Sequence, residues 1–188
     1  MKQVKHYMDY VVNLVNMFED KDSPFLKKIF RLPGDVIIRR AGANERHAIL
    51  GVIAEYFHPN WVDEISPAFD KVPITCFIAT QNGKLLGFAC IDGLRKGFFG
   101  AMGVIPTARK TGVGRGILIE CMRGLYEMGY PYGIIGGVAP DATGFYKKVL
   151  EGYVSEIPGS DPGIYRYGVE EVNVNVYKDL YKAFREDK

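Results

Sequence analysis

A strand-like run, FFGAMGV at residues 98–104, leads through IPTARKTGVGRG into an apolar helical period at Ile117, Leu118, Cys121, Met122 and Leu125. That order dictates a strand, a glycine-rich turn and a helix that Gly129 can terminate in a left-handed conformation. Gly112, Gly114 and Gly116 lie where the turn becomes the helix. A backbone so composed can aim several N–H groups at one point, where the helix dipole also favours an anion. Glycine suits the role because a Cβ would block close approach of a phosphate or forbid the backbone angles.

The rest of the chain is organised around this unit. Val4, Tyr7, Met8, Val11, Leu14, Val15 and Phe18 share one helical face, which predicts an amphipathic helix over residues 3–18. Ser23-Pro24 reads as the cap and first turn of a short helix that stops at Leu32-Pro33-Gly34. Residues 1–35 are thus expected to be a helical appendage to a domain of residues 36–170, with residues 171–188 a C-terminal extension packed on it. Within the domain, strands are expected at Val36–Ile38, 74–81, 84–92, 98–104, 132–138, 153–157 and 164–169. Asn82-Gly83 makes the second and third a hairpin, because this dipeptide suits the two positive φ angles of a type I′ turn. Helices are expected from Ile49 to Phe57, after the glycine turn, from Asp141 as cap to about Leu150, and around Leu180, Tyr181 and Phe184. Residues 60–73 read as irregular or partly helical.

Charge and cysteine content narrow the functions open to such a fold. The net charge is +2, with 24 basic residues scattered among 22 acidic ones, so no basic block is present to displace counterions from a nucleic acid. The 3 cysteines, Cys76, Cys90 and Cys121, each sit among apolar neighbours and are expected as buried free thiols in a reducing compartment. No Cys or His spacing suits a metal. Without a signal-like N-terminus or a run of 18 apolar residues, a cytoplasmic protein with no membrane partner is expected.

Three phosphate-binding patterns can be compared at the glycine turn. A P-loop needs Gly-Lys-Ser/Thr, which is missing, and a dinucleotide fingerprint needs a third glycine where Ile117 stands. Arg109-x-x-Gly112-x-Gly114, preceded by Val104-x-Pro106, resembles the acetyl-CoA signature of the GNAT superfamily. DATGFYKKVLEGYV, residues 141–154, resembles the same family's helical Phe-Tyr pair before a glycine and an aromatic residue. Together the likenesses span about Val36 to Val169, and the elements follow that superfamily's order.

The resemblance implies a mixed α/β GNAT fold with a mostly antiparallel sheet, and an acyl-CoA N-acyltransferase. It implies acetyl-CoA as cosubstrate, the backbone of Met102, Gly103 and Val104 along the pantetheine arm, and the amides of Arg109, Lys110, Thr111, Gly112, Val113, Gly114 and Arg115 around the pyrophosphate. Val104 would stabilise the oxyanion through its N–H. Tyr146 would contact the cofactor and act as general acid, and a phenol can protonate a departing thiolate when held within hydrogen-bond reach. Phe145 is expected in the core.

Two positions depart from the family. Many relatives carry a glutamate on the glycine-loop strand six positions before the equivalent of Val104, where this chain has Phe98, and FFGAMG contains no ionisable group. The base is therefore open, with Glu55, His58, Asp92 or a water relay as candidates; their structural readings are a solvated helix face, a helix end and an Asp-Gly turn. Ala139 stands where relatives often have an asparagine. The acceptor pocket implied by the family falls between residues 58–67 and 158–167, with Trp61, Tyr165 and Tyr167 as aromatic surface and Asp63, Glu64 and Asp161 as negative charge. A small-molecule primary amine is the expected acceptor. The alternatives are a protein or peptide amine, or a non-catalytic acyl-CoA sensor whose terminal helices serve partner contacts. A homodimer is also open.

Overall fold

The computed structural model describes residues 7–26, 32, 34–58 and 60–161. Its seven strands form one sheet in the order β2-β3-β4-β5-β6-β1-β7. The strands are β1 (Met8–Asn13), β2 (Ile37–Arg40), β3 (Cys76–Gln81), β4 (Lys84–Ile91), β5 (Phe98–Val104), β6 (Tyr132–Val138) and β7 (Val154–Glu156). The helices are α1 (Leu14–Glu19), α2 (Arg46–Tyr56), α3 (Asn60–Ile65), α4 (Val113–Glu127) and α5 (Pro140–Val149). All neighbouring strands are antiparallel except β5 and β6, which α4 joins as a parallel crossover.

Two-residue alternation sorts the side chains into two layers. Cys76, Ile78, Phe88, Cys90 and Ala101 face a core shared with Ile49, Leu50 and Ile53 of α2 and Val62 and Ile65 of α3. Phe77, Ala79, Ala89, Ile91 and Phe99 face the opposite core, built on Val113, Ile117, Leu118, Cys121, Met122 and Leu125 of α4. The three cysteines are free and buried, and burial pushes the Cys76 thiol up to about 12. The hairpin turn has φ of 50° at Asn82 and 74° at Gly83, both positive as a type I′ turn requires.

The N-terminal segment corrects the reading of a helical appendage. Met8–Asn13 is a strand, bonded to β6 on one side and β7 on the other. Tyr10 and Val12 point into the core and Val11 does not, so the burial follows a period of two. Ladder partners on both edges outweigh what a helix would satisfy here, and Tyr-Val-Val favours the extended form. Helix α1 starts only at Asn13, whose side-chain oxygen accepts the Asn16 N–H at 3.0 Å.

Two caps also differ from expectation. Ser23 is a buried turn residue whose hydroxyl donates to Met17 O at 2.6 Å and accepts the Phe25 N–H at 3.2 Å. The helix expected from it lies largely outside the described residues, as do the strand at 164–169, Tyr165, Tyr167 and the C-terminal extension. Helix α5 is capped by Ala139 with Pro140 in its first turn, and Asp141 sits one position inside, where the helix dipole still favours its charge. Among the described residues no helix is long and apolar enough to cross a membrane.

The inserted strand gives a sharp test. Val12→Thr, which buries a hydroxyl in nearly the same volume, is expected to cost about 1–3 kcal/mol in urea unfolding, and Val11→Thr well under half of that.

Candidate active site

The cleft follows from a break in strand pairing. β5 and β6 are in register only at Phe98↔Ile134 and Phe99↔Ile135 and then part. On the other edge of β5 the Ile105 N–H donates to Leu86 O at 2.8 Å. Strand alternation therefore turns the N–H and C=O of Met102 and Val104 away from β4, toward the gap that β6 leaves.

Both walls of this gap carry bulges. Ala89↔Met102 and Ile91↔Phe99 leave an extra residue on β5 at Gly100–Ala101. On β6, Gly136 and Gly137 together face the single residue Asp9 of β1. Gly137 takes φ of 63°, a left-handed angle that glycine adopts without cost, and its N–H donates to Asp9 Oδ1 at 2.7 Å.

Between the walls is a cavity of about 520 Å³, within the range of small-molecule sites. Its lining includes Tyr146 of α5, Met102 of β5, Ala139, the Gly136–Gly137 bulge, and His58, Asn60, Trp61 and Glu64. Tyr146 stands edge-on to Phe99, with ring centroids 6.2 Å apart. Trp61 stacks on Phe57 at 5.5 Å, giving the cavity an aromatic side.

The glycine turn adjoins the far end of β5. Lys110 and Gly112 have φ of 64° and 91°, and α4 begins at Val113, so Val113 and Gly114 have no carbonyl one turn back to receive their N–H groups. Arg109 Nε donates to Val104 O at 3.2 Å and ties the turn to the strand. Arg109, Lys110, Thr111, Gly112 and Arg115 are exposed. The glycines divide in role: a Cβ on Gly112 or Gly114 would meet its nearest neighbour at 3.3 Å, whereas one on Gly116 would lie 2.5 Å from Ile38 Cδ1. Gly116 thus lies at the packing contact between helix and sheet. Gly103 also packs, since its Cβ would lie 2.6 Å from the Phe57 ring.

The candidate bases separate. His58 lines the cavity, its Nδ1 accepting the Asn60 N–H at 3.4 Å. Glu55 is exposed on α2 and Asp63 on α3, and neither lines the cavity. Asp92 is buried in its own turn, accepting from Gly97 N–H at 2.6 Å, the Tyr130 hydroxyl at 2.9 Å and Lys96 Nζ at 3.0 Å. Burial raises its carboxyl, these three donors outweigh that, and the net displacement is downward, so Asp92 is a structural anion and not a base in the cavity. Asp161 accepts the Tyr7 N–H at 3.2 Å.

Of the acids expected as negative charge in the acceptor pocket, Asp63, Glu64 and Asp161, the cavity lining holds Glu64. Burial pushes its carboxyl above the ordinary carboxylate range, against the lowering pull of the backbone N–H of Ala101. No group of three or more acidic, His or Cys side chains suited to a metal occurs among the described residues.

Residues 45–151 match the acetyltransferase (GNAT) family. The chain belongs to that family. The sheet agrees with solved GNAT structures: an acetyltransferase from Colwellia psychrerythraea aligns with a TM-score of 0.56 at 14% identity, over 81% of this chain and 53% of that one. A GNAT protein from Sphaerobacter thermophilus aligns at 0.54 and 15%, over 89% and 45%. The glucosamine N-acetyltransferase region of a fungal multi-domain β-N-acetylglucosaminidase aligns at 0.56 and 14%, over 84% and 20%. This chain thus spans about half or less of the length of these neighbours, and at such identities the likeness is one of fold. No curated protein matches.

The two classes of glycine predict different outcomes. Gly112→Ala, forced into the left-handed region, should lose about 1–2 kcal/mol in urea unfolding. Gly116→Ala needs no left-handed angle and presses only on the movable end of the Ile38 side chain, so it should cost well under half of that.

Proposed function

We propose that this chain transfers an acetyl group from acetyl-CoA to the primary amine of a small molecule by direct attack in a ternary complex. The observation that carries the reading is the parting of β5 from β6 beside the α4 N-terminus, which leaves strand-edge hydrogen-bonding groups and helix-end amides on one path. Pantetheine would lie along Met102–Val104 as a short substitute strand. The diphosphate would sit over the amides of 109–115, with Arg109, Lys110 and Arg115 adding positive charge.

At the thioester, the Val104 N–H is the donor for the oxyanion that forms as the amine attacks, and a fixed dipole in a dry cleft is worth more than one in water. Tyr146 lines the cavity together with Met102 and supplies the proton to the departing sulfur. The acceptor would enter past Trp61 and His58. A cavity of about 520 Å³ suits an amino sugar, amino acid or polyamine better than a folded protein surface. The sensor alternative drew its support from the missing strand carboxylate, and a carboxylate from α3 beside the same strand weakens that support.

Thiol release from acetyl-CoA across amino sugars, amino acids, polyamines and peptides identifies the acceptor. Tyr146→Phe should lower turnover about 10²-fold while CoA heat persists. Unchanged single-turnover transfer would reduce Tyr146 to packing, and no CoA heat at millimolar ligand would overturn the function.

A further inference from the structure

The glycine-loop strand β5 has no ionisable side chain from Phe98 to Val104, so an acyltransferase built on it needs a proton acceptor from another element. The bulge in β5 takes residues 100–101 out of the regular ladder with β4, and the Glu64 carboxyl of α3 lies against it. A Cβ on Gly100 would lie 3.2 Å from Glu64 Oε1 and 2.7 Å from Cys90 Sγ, so only glycine leaves the carboxylate this place against the strand. Glu64 lines the same cavity as Met102 and Tyr146, and no Lys or Arg does so among the described residues.

We propose that Glu64, resting on the β5 bulge, takes the proton from the attacking amine nitrogen. The inference rests on the acetyl transfer proposed above. The amine nitrogen forms a bond to the thioester carbonyl carbon and gives one proton to Glu64; the C–S bond breaks and the sulfur takes one proton from Tyr146. The proton on Glu64 returns to the Tyr146 oxygen through solvent. An acceptor that arrives as an ammonium ion sheds one further proton to water.

Burial suits the role. A carboxyl held above its usual range is a stronger base once ionised, and its active form is lost as pH falls through that raised value. Among the described residues, the other titratable groups facing the cavity are His58 before α3, Tyr146 on α5 and Tyr7 before β1, with the Cys90 thiol of β4 behind Gly100.

Glu64→Gln separates catalysis from architecture, because the amide keeps the size and shape of the carboxyl that rests on the bulge and loses only its proton-accepting charge. With the acceptor found by thiol release, the variant should bind CoA with unchanged heat, melt no lower than wild type at neutral pH, and lose about 10²–10⁴-fold in kcat/KM. In the wild type the slope of log kcat/KM against pH should steepen by one below a break above the ordinary glutamate range; in Glu64→Gln that break should vanish. Retained kcat/KM would overturn the proposal by making Glu64 a plug for the bulge, and a persisting break would move the proton to His58. Should Glu64→Gln fail to fold, the wild-type profile still decides, since absence of a break overturns the role. Wild type that binds CoA but acetylates no amine removes the transfer itself, an outcome distinct from loss in the variant alone.

Discussion

Two parallel strands that stay bonded for only the pairs Phe98↔Ile134 and Phe99↔Ile135 create everything else of interest in this molecule. Past that point β5 remains anchored to β4 and β6 to β1, so each keeps one satisfied edge and presents the other to the gap. Unpaired strand edges inside a protein are costly unless something binds them. In the proposed function, the pantetheine arm would lie between the strands and supply what the sheet withholds.

The gap is held open from both sides. On β5 the bulge at Gly100–Ala101 is braced by Glu64 from the helical layer containing α2 and α3. On β6 the bulge at Gly136–Gly137 is braced by Asp9 from the inserted N-terminal strand. Each bulge pairs glycine with a carboxylate from a distant part of the chain, so the cavity walls report on two long-range contacts. Strand β1 therefore does more than fill the sheet: its Asp9 fixes the angle of a cavity wall.

The glycine turn carries its own strain. Lys110 holds a left-handed φ without being glycine, and Gly112 follows two residues later with φ of 91°. Conformations of this kind persist where surrounding structure enforces them and are concentrated at ligand sites. Here the Arg109 bond to Val104 O and the Thr111 hydroxyl bond to Ala108 O at 2.7 Å supply that enforcement.

Local patterns determined much of this protein. The hairpin at Asn82-Gly83, strands β5 and β6, helix α4 and the phosphate-type turn could all be read from periods and turn residues, because each depends on neighbours in the chain. The family followed from the same local signals. What only tertiary structure decided depends on which distant edges meet. Met8 and Val11 fit a helical stripe as well as a strand, and the open ladder between β6 and β7 selects the strand. Glu64 reads as one of three acids around an acceptor pocket until it comes to rest on the β5 bulge, and Gly116 looks like part of the turn until Ile38 fills the space above it. Hydrogen bonds and close packing between residues far apart in sequence leave no periodic trace, so these assignments became visible only when the sheet was assembled.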